Sequence, residues 1–159
     1  MGFPLPDVEL PSPVEVSLQV GSFNPASPPG PELAFFVAGR PGPKGSTNRS
    51  AAGFTYGASK IGKAWQQQVA ASVPTQYTDP TATIARPWQI VVVFRFRRPK
   101  RPKYLWPAHA DIDKLGRATV DGLVDAGLLS DDRHVTGLYL RKEFAEPGEP
   151  EGALIEVWR

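Results

Sequence analysis

Asp111, Asp113, Asp131 and Asp132 carry the strongest chemical signal in the chain. They bracket one short stretch: Asp111-Ile112-Asp113, a helical pattern, then Asp131-Asp132. Carboxylates gathered at neutral pH repel one another unless a positive charge sits between them. Hard oxygen ligands of this kind suit magnesium or manganese. A divalent ion beside a phosphate-seeking surface points to phosphodiester chemistry.

The element between the two pairs must position them. If Asp111 and Asp113 are the last extended residues before a helix, a period of two puts both side chains on one face. The helix N-terminus behind them favours the ionised form. A helix of about a dozen residues is roughly 18 Å long, so the second pair cannot meet the first along its axis. Convergence requires the strand starting near Asp132 to lie beside the strand ending at Asp111. Arg117 falls on the helical face of Asp113, where it can orient that carboxylate or reach a phosphate bidentately. Asp121, one turn further on, offers Arg117 a plain ion-pair partner. The plainer alternative for the acidic residues is that Asp111 or Asp113 caps the helix and Asp131-Asp132 forms a turn. Asp111-x-Asp113-x-x-Gly116 begins like a calcium loop, but its fifth position is Leu115 and its twelfth is Gly122, which excludes that reading.

Directly upstream lies Arg95-Phe96-Arg97-Arg98-Pro99-Lys100-Arg101-Pro102-Lys103-Tyr104-Leu105-Trp106. Its prolines oppose a helix and its cations suit phosphate contact, with Arg97, Arg98, Lys100, Arg101 and Lys103 as the candidates. Tyr104 or Trp106 can stack on an unpaired base. The alternative is a solvated edge whose charges discourage aggregation. Lys44, Arg49, Lys60 and Lys63 form a sparser basic set. Gly42-Pro43-Lys44-Gly45-Ser46 has the wrong order for a phosphate-binding P-loop, because the lysine precedes the last glycine. Lys44 is therefore read as a DNA backbone contact or as a turn residue. His109 and His134 are the chain's 2 histidines; His109, two residues from Asp111, reads as a group that touches substrate or polarises water, or more simply as a bystander. Trp65, Trp88 and Trp158 read as core or dimer contacts.

A chain of 159 residues with 41% hydrophobic and 21% charged residues is enough for one domain with a proper core. The net charge is only +2, so the clustering of charge matters more than its sum. There is no cysteine, which excludes disulfides and thiolate metal sites and fits a reducing, cytoplasmic setting. No apolar run approaches the length of a membrane span, and the N-terminus lacks the pattern of a signal peptide. Residues 1–30 form a proline-rich extension with one alternating stretch, 14–20, that reads as a strand. The domain proper, 31–159, reads as strand 33–37, helix 58–72, strand 88–94, helix 114–126, and strands 135–144 and 153–158. Ser59 is the N-cap of the first helix, with Ile61, Trp65, Val69 and Ser72 or Val73 at helical spacing and Pro74 as its stop. Leu115, Ala118, Leu123 and Val124 face the core from the second, and Gly127 ends it. Pro147 to Gly152 reads as a hairpin-like connection. Together these give an α+β domain, a mixed β-sheet with two main helices packed on it.

Asp111-Ile112-Asp113-Lys114-Leu115-Gly116-Arg117, Asp121, Gly127-Leu128-Leu129-Ser130-Asp131-Asp132 and Lys142 resemble the signature of RusA-type Holliday junction resolvases. Phe36 to Ser46 is similar to the strand and loop that open many phage-type members. The resemblance covers residues 33 to 158. It implies a homodimer that cleaves four-way DNA junctions with magnesium or manganese held by three aspartates. Carried over by position, these are Asp111, Asp113 and Asp132, with Asp131 as an auxiliary ligand. Arg117 and Lys142 would offset charge on the phosphate. Two positions depart from the pattern. Lys114 stands where asparagine is common, and Arg117 where a functional lysine is usual; arginine keeps the charge but does not donate a proton at neutral pH. That second departure favours the alternative of a junction-binding protein without catalysis.

Overall fold

The computed structural model describes residues 30–45, 47–49, 55–57, 60–78, 87–108 and 110–159. The expected strand at 14–20, the Ser59 cap and His109 lie outside them. Strands β1 (Leu33–Ala38), β2 (Thr47–Arg49), β3 (Thr55–Gly57), β4 (Trp88–Phe96), β5 (Val135–Phe144) and β6 (Gly152–Trp158) accompany helices α1 (Lys60–Ser72) and α2 (Ile112–Asp125). Short 3-10 turns cover Thr75–Tyr77 and Asp132–His134. The α+β reading holds: one domain, with a mixed four-stranded sheet in the order β1-β6-β4-β5. The β2-β3 pair forms a separate small sheet that the sequence pattern did not announce.

β4 is a central strand because its β-branched run satisfies neighbours on both sides. It pairs parallel with β5 and antiparallel with β6. Ile90, Val92, Phe94 and Phe96 on one face are fully buried. Each such side chain contributes about 1.5–3 kcal/mol relative to exposure. Val91 and Val93 on the other face are only half-buried. The helices pack against each other over the buried face, which brings Trp65, Val69, Leu115, Ala118 and Leu123 into one cluster with β4. Buried Thr119 stitches the helices together. Its hydroxyl accepts from the Trp65 indole N–H at 3.0 Å and donates to the Leu115 carbonyl at 2.9 Å. Trp65 is thus a core residue.

Two expectations need correction. Ile61 does not face the core; it is 59% exposed. Gly62 is buried in its stead, because the loop at Pro43 comes so close that a Cβ would lie 2.3 Å from the Pro43 carbonyl oxygen. Nor do β5 and β6 form a hairpin. β4 lies between them, and the link 145–151 passes over the end of β4, held by Ala145 N–H donating to the Phe96 carbonyl at 2.9 Å. Arg95 on β4 fixes the crossing by ion pairs to Glu143 and Glu149.

α2 ends as its sequence predicts. Gly127 takes φ +75°, the Gly127 N–H donates to the Val124 carbonyl, and the Leu128 N–H donates to the Leu123 carbonyl. These are the two bonds of a Schellman cap, which needs a left-handed residue that glycine supplies without a Cβ clash.

Candidate functional site

Ala110, Asp111 and Asp113 sit where the loop 97–110 enters α2. Asp111 is the N-cap residue, yet its side chain makes no capping hydrogen bond. It turns instead to Lys114, whose ammonium lies 2.8 Å from the carboxylate. That hydrogen bond and charge, with a smaller contribution from Lys142, hold the Asp111 carboxyl below its ordinary value. Lys114 is raised in return, by Asp111 first and by Asp113 as well. Both carboxylates thus act on one cation. Asp113 and Arg117 are exposed on the same face of α2, and Arg117 has no ion pair among the described residues. Asp121 pairs with Lys44 rather than with Arg117. The Lys44 amide also donates to the Lys114 carbonyl at 3.0 Å. Lys44 therefore ties its loop to α2 and has its ammonium engaged with a carboxylate.

The Lys142 ammonium donates to the Ala110 carbonyl at 2.8 Å. Ala110 has φ +67°, a left-handed conformation that costs an L-residue roughly 1–2 kcal/mol. The lysine on β5 thus helps fix a strained turn just before Asp111. Sequence reasoning placed Lys142 near phosphate; its hold on this backbone had no local signal.

Asp131 and Asp132 lie elsewhere. Asp131 caps the 3-10 turn, its carboxylate accepting from the Arg133 N–H at 2.9 Å. This bond, with the Arg133 charge as a lesser cause, lowers the Asp131 carboxyl. Asp132 is exposed in the turn that precedes β5. The strand arrangement demanded by convergence is not found among the described residues. β4 ends at Phe96, well before Asp111, and the start of β5 at Val135 lies beside the start of β4 at Trp88. The 14 residues of α2 span about 21 Å. β5 covers a similar distance from Val135, near Asp132, to Lys142, which touches Ala110. The two acidic pairs therefore stand at opposite ends of α2. No group of three acidic or histidine side chains among the described residues is close enough to hold a metal ion. A magnesium or manganese ion needs several oxygens converging on it, and one copy of the chain does not bring Asp111, Asp113 and Asp132 together.

The basic segment leaves the sheet at the end of β4 beside this acidic end. Arg97, Arg98, Lys100, Arg101 and Lys103 are exposed. Among the described residues none of them is in an ion pair. The Arg98 guanidinium rests 5.4 Å from the centre of the Phe144 ring. Arg97, Arg98, Phe144 and Glu149 line an open cavity of about 600 Å³. The sequence marked the arginines, but the cavity depends on the 145–151 link crossing β4, which no local pattern specifies. No helix among the described residues is long and apolar enough to cross a membrane. No family model matches the chain, and comparison with characterised proteins returns no match.

Proposed function

We propose that the chain is a divalent-metal-dependent endonuclease acting on branched DNA, four-way junctions in the first place, as a homodimer. The observation that carries this reading is that an exposed basic loop leads into exposed carboxylates at the start of α2. The cations Arg97 to Lys103, in no ion pair among the described residues, precede the exposed carboxylates of Asp111 and Asp113 in the chain. The cations suit a DNA backbone, and Arg117 on the exposed face of α2 suits a phosphate oxygen. The bound ion, magnesium or manganese, would supply an activated water and charge neutralisation.

One copy supplies only part of the acidic set, so the reading needs a second. The edge of the sheet supports one. β5 has β4 on one side and no strand on the other among the described residues. Its exposed stretch carries Leu138, 41% exposed, and Tyr139, 59% exposed. A long edge of this kind is a template for pairing. Two-fold pairing of β5 with β5 is antiparallel. It would bring the start of one strand, with Asp132, beside the end of the other, with Lys142, Ala110 and Asp111.

The test is Asp113→Asn in a nicking assay on a synthetic four-way junction with magnesium. Nicking is expected to fall by at least about 100-fold, the upper end of what loss of a supporting group costs a metal site. Junction binding is expected to survive, since removing a carboxylate lessens repulsion of phosphate. Undiminished cleavage by the variant would overturn the assignment. The second reading is a junction-binding protein without catalysis. The separation of the aspartates within one copy and Arg117 in place of a lysine favour it. Wild-type binding to junctions with no magnesium- or manganese-dependent nicking would select it.

A further inference from the structure

The loop between β4 and α2 holds three large side chains out in water at its tip. Leu105 is 82% exposed, Trp106 58% and Tyr104 41%. The Tyr104 and Trp106 rings stack with centroids 5.4 Å apart and planes 25° from parallel. The Lys103 ammonium lies 5.4 Å from the centre of the Tyr104 ring. The next residue, Pro107, is buried, so the tip is anchored on its C-terminal side. The same loop carries Arg97, Arg98, Lys100, Arg101 and Lys103, none of them in an ion pair among the described residues.

An occupant of this tip has to satisfy both features. A second copy covers the apolar rings but sets two groups of exposed cations face to face, which like-charge repulsion opposes. Continuous duplex DNA offers phosphates, but its base faces are hidden in its own stack. Nucleotides that are unpaired offer phosphates and free ring faces together. Trp106, the more exposed ring of the pair, presents the larger area for a base to cover. We propose that the Lys103–Trp106 tip is a stacking platform for unpaired bases, by which the protein distinguishes nucleic acid with open nucleotides from continuous duplex. This deepens the nucleic-acid part of the reading above and rests on it, while needing neither the metal nor the cleavage step.

The experiment is fluorescence anisotropy of the full chain, in EDTA, with three labelled DNAs of equal length: a single strand, a duplex with an unpaired bubble, and a fully paired duplex. Wild type is expected to prefer the first two. Trp106→Ala should weaken single-strand and bubble binding by about 5- to 150-fold, the loss of one base stack. Duplex affinity should stay within about twofold, and the salt slope should not change, because no phosphate contact is removed. Trp106→Phe keeps a ring and should recover most of the loss, and Tyr104→Ala should act in the same direction as Trp106→Ala. Equal losses on all three DNAs, or no loss on any, would overturn the platform while leaving DNA binding in place. Wild-type protein that binds none of the three would overturn the DNA reading and the platform with it. Trp106→Ala that abolishes binding to anionic lipid vesicles and leaves every DNA unaffected would assign the tip to a membrane surface instead.

Discussion

Lys114 is the residue on which the chemistry of the acidic end turns. It holds Asp111 at 2.8 Å and is felt by Asp113, so it occupies the kind of position a metal ion would contest. Its substitution separates the two carboxylates from their resident cation. In Lys114→Met the Asp111 carboxyl should titrate at higher pH than in wild type, near the ordinary carboxylate range, as followed by NMR of the side-chain carboxyl carbon. The sign for stability follows from the same shift. A carboxyl lowered by folding contributes stability above its unfolded value, and loses it as pH falls through the lowered folded one. The Asp111 contribution should thus be present at neutral pH and fade in acid, and in Lys114→Met that acid-dependent part should shrink to what Lys142 supplies. An Asp111 titration unchanged by the substitution would show that the pair does not persist in solution. At this scale the candidate aspartates were legible, because their spacing is written in the chain. Their partners were not. Lys44 meets Asp121 across 77 positions, and the left-handed turn at Ala110 is held by a lysine on another strand. Neither contact leaves a local trace.

The elements were legible wherever hydrophobic period and end signals agreed. β5 runs Val135–Phe144 as its pattern indicated, and α2 stops at the glycine that suits its cap. Sheet order was not legible, since the insertion of β4 between β5 and β6 is a choice among nonlocal pairings. The same nonlocality decides how tightly α2 packs, and two of its glycines test this. Alanine is favoured over glycine in a helix interior by about 1 kcal/mol. At Gly122 a Cβ would lie 2.7 Å from the Gln66 carbonyl oxygen and 2.8 Å from the Val69 Cβ, neither of which can swing aside. Gly122→Ala should therefore destabilise the fold by about 1–3 kcal/mol as overpacking does, with the α1-α2 contact forced apart. At Gly116 the nearest atom is the Leu140 Cδ1 at 2.4 Å, the end of a flexible side chain that can turn away. Gly116→Ala should stay within about 1 kcal/mol of wild type, with propensity and crowding offsetting each other. Urea melts of the two variants give the comparison, and equal losses would mean that helix packing at Gly122 is looser than these distances imply.

For the molecule as a whole, the consequential fact is that α2 and β5 run in opposite directions, each carrying its acidic pair at a different end. A single copy cannot bring the pairs together, whereas antiparallel pairing of two β5 edges swaps the ends. That arrangement has a signature no single-copy site can mimic. Asp113→Asn and Asp132→Asn homodimers should each be inactive, because both of their sites carry a lesion. In a mixed dimer, however, one composite site collects both lesions and the other collects none. After random exchange about half of the dimers are mixed, so roughly a quarter of the wild-type nicking should return on combining two inactive proteins. The restored activity should consist of single nicks, since only one site per dimer is intact. Leu138→Lys, which sets a charge on the pairing edge, should shift sedimentation towards the monomer and abolish the rescue while leaving the isolated fold intact. A mixture no more active than its components would mean that the two ends of α2 never serve one site, and the acidic groups would then have to be explained as a lysine clamp at one end and a turn cap at the other.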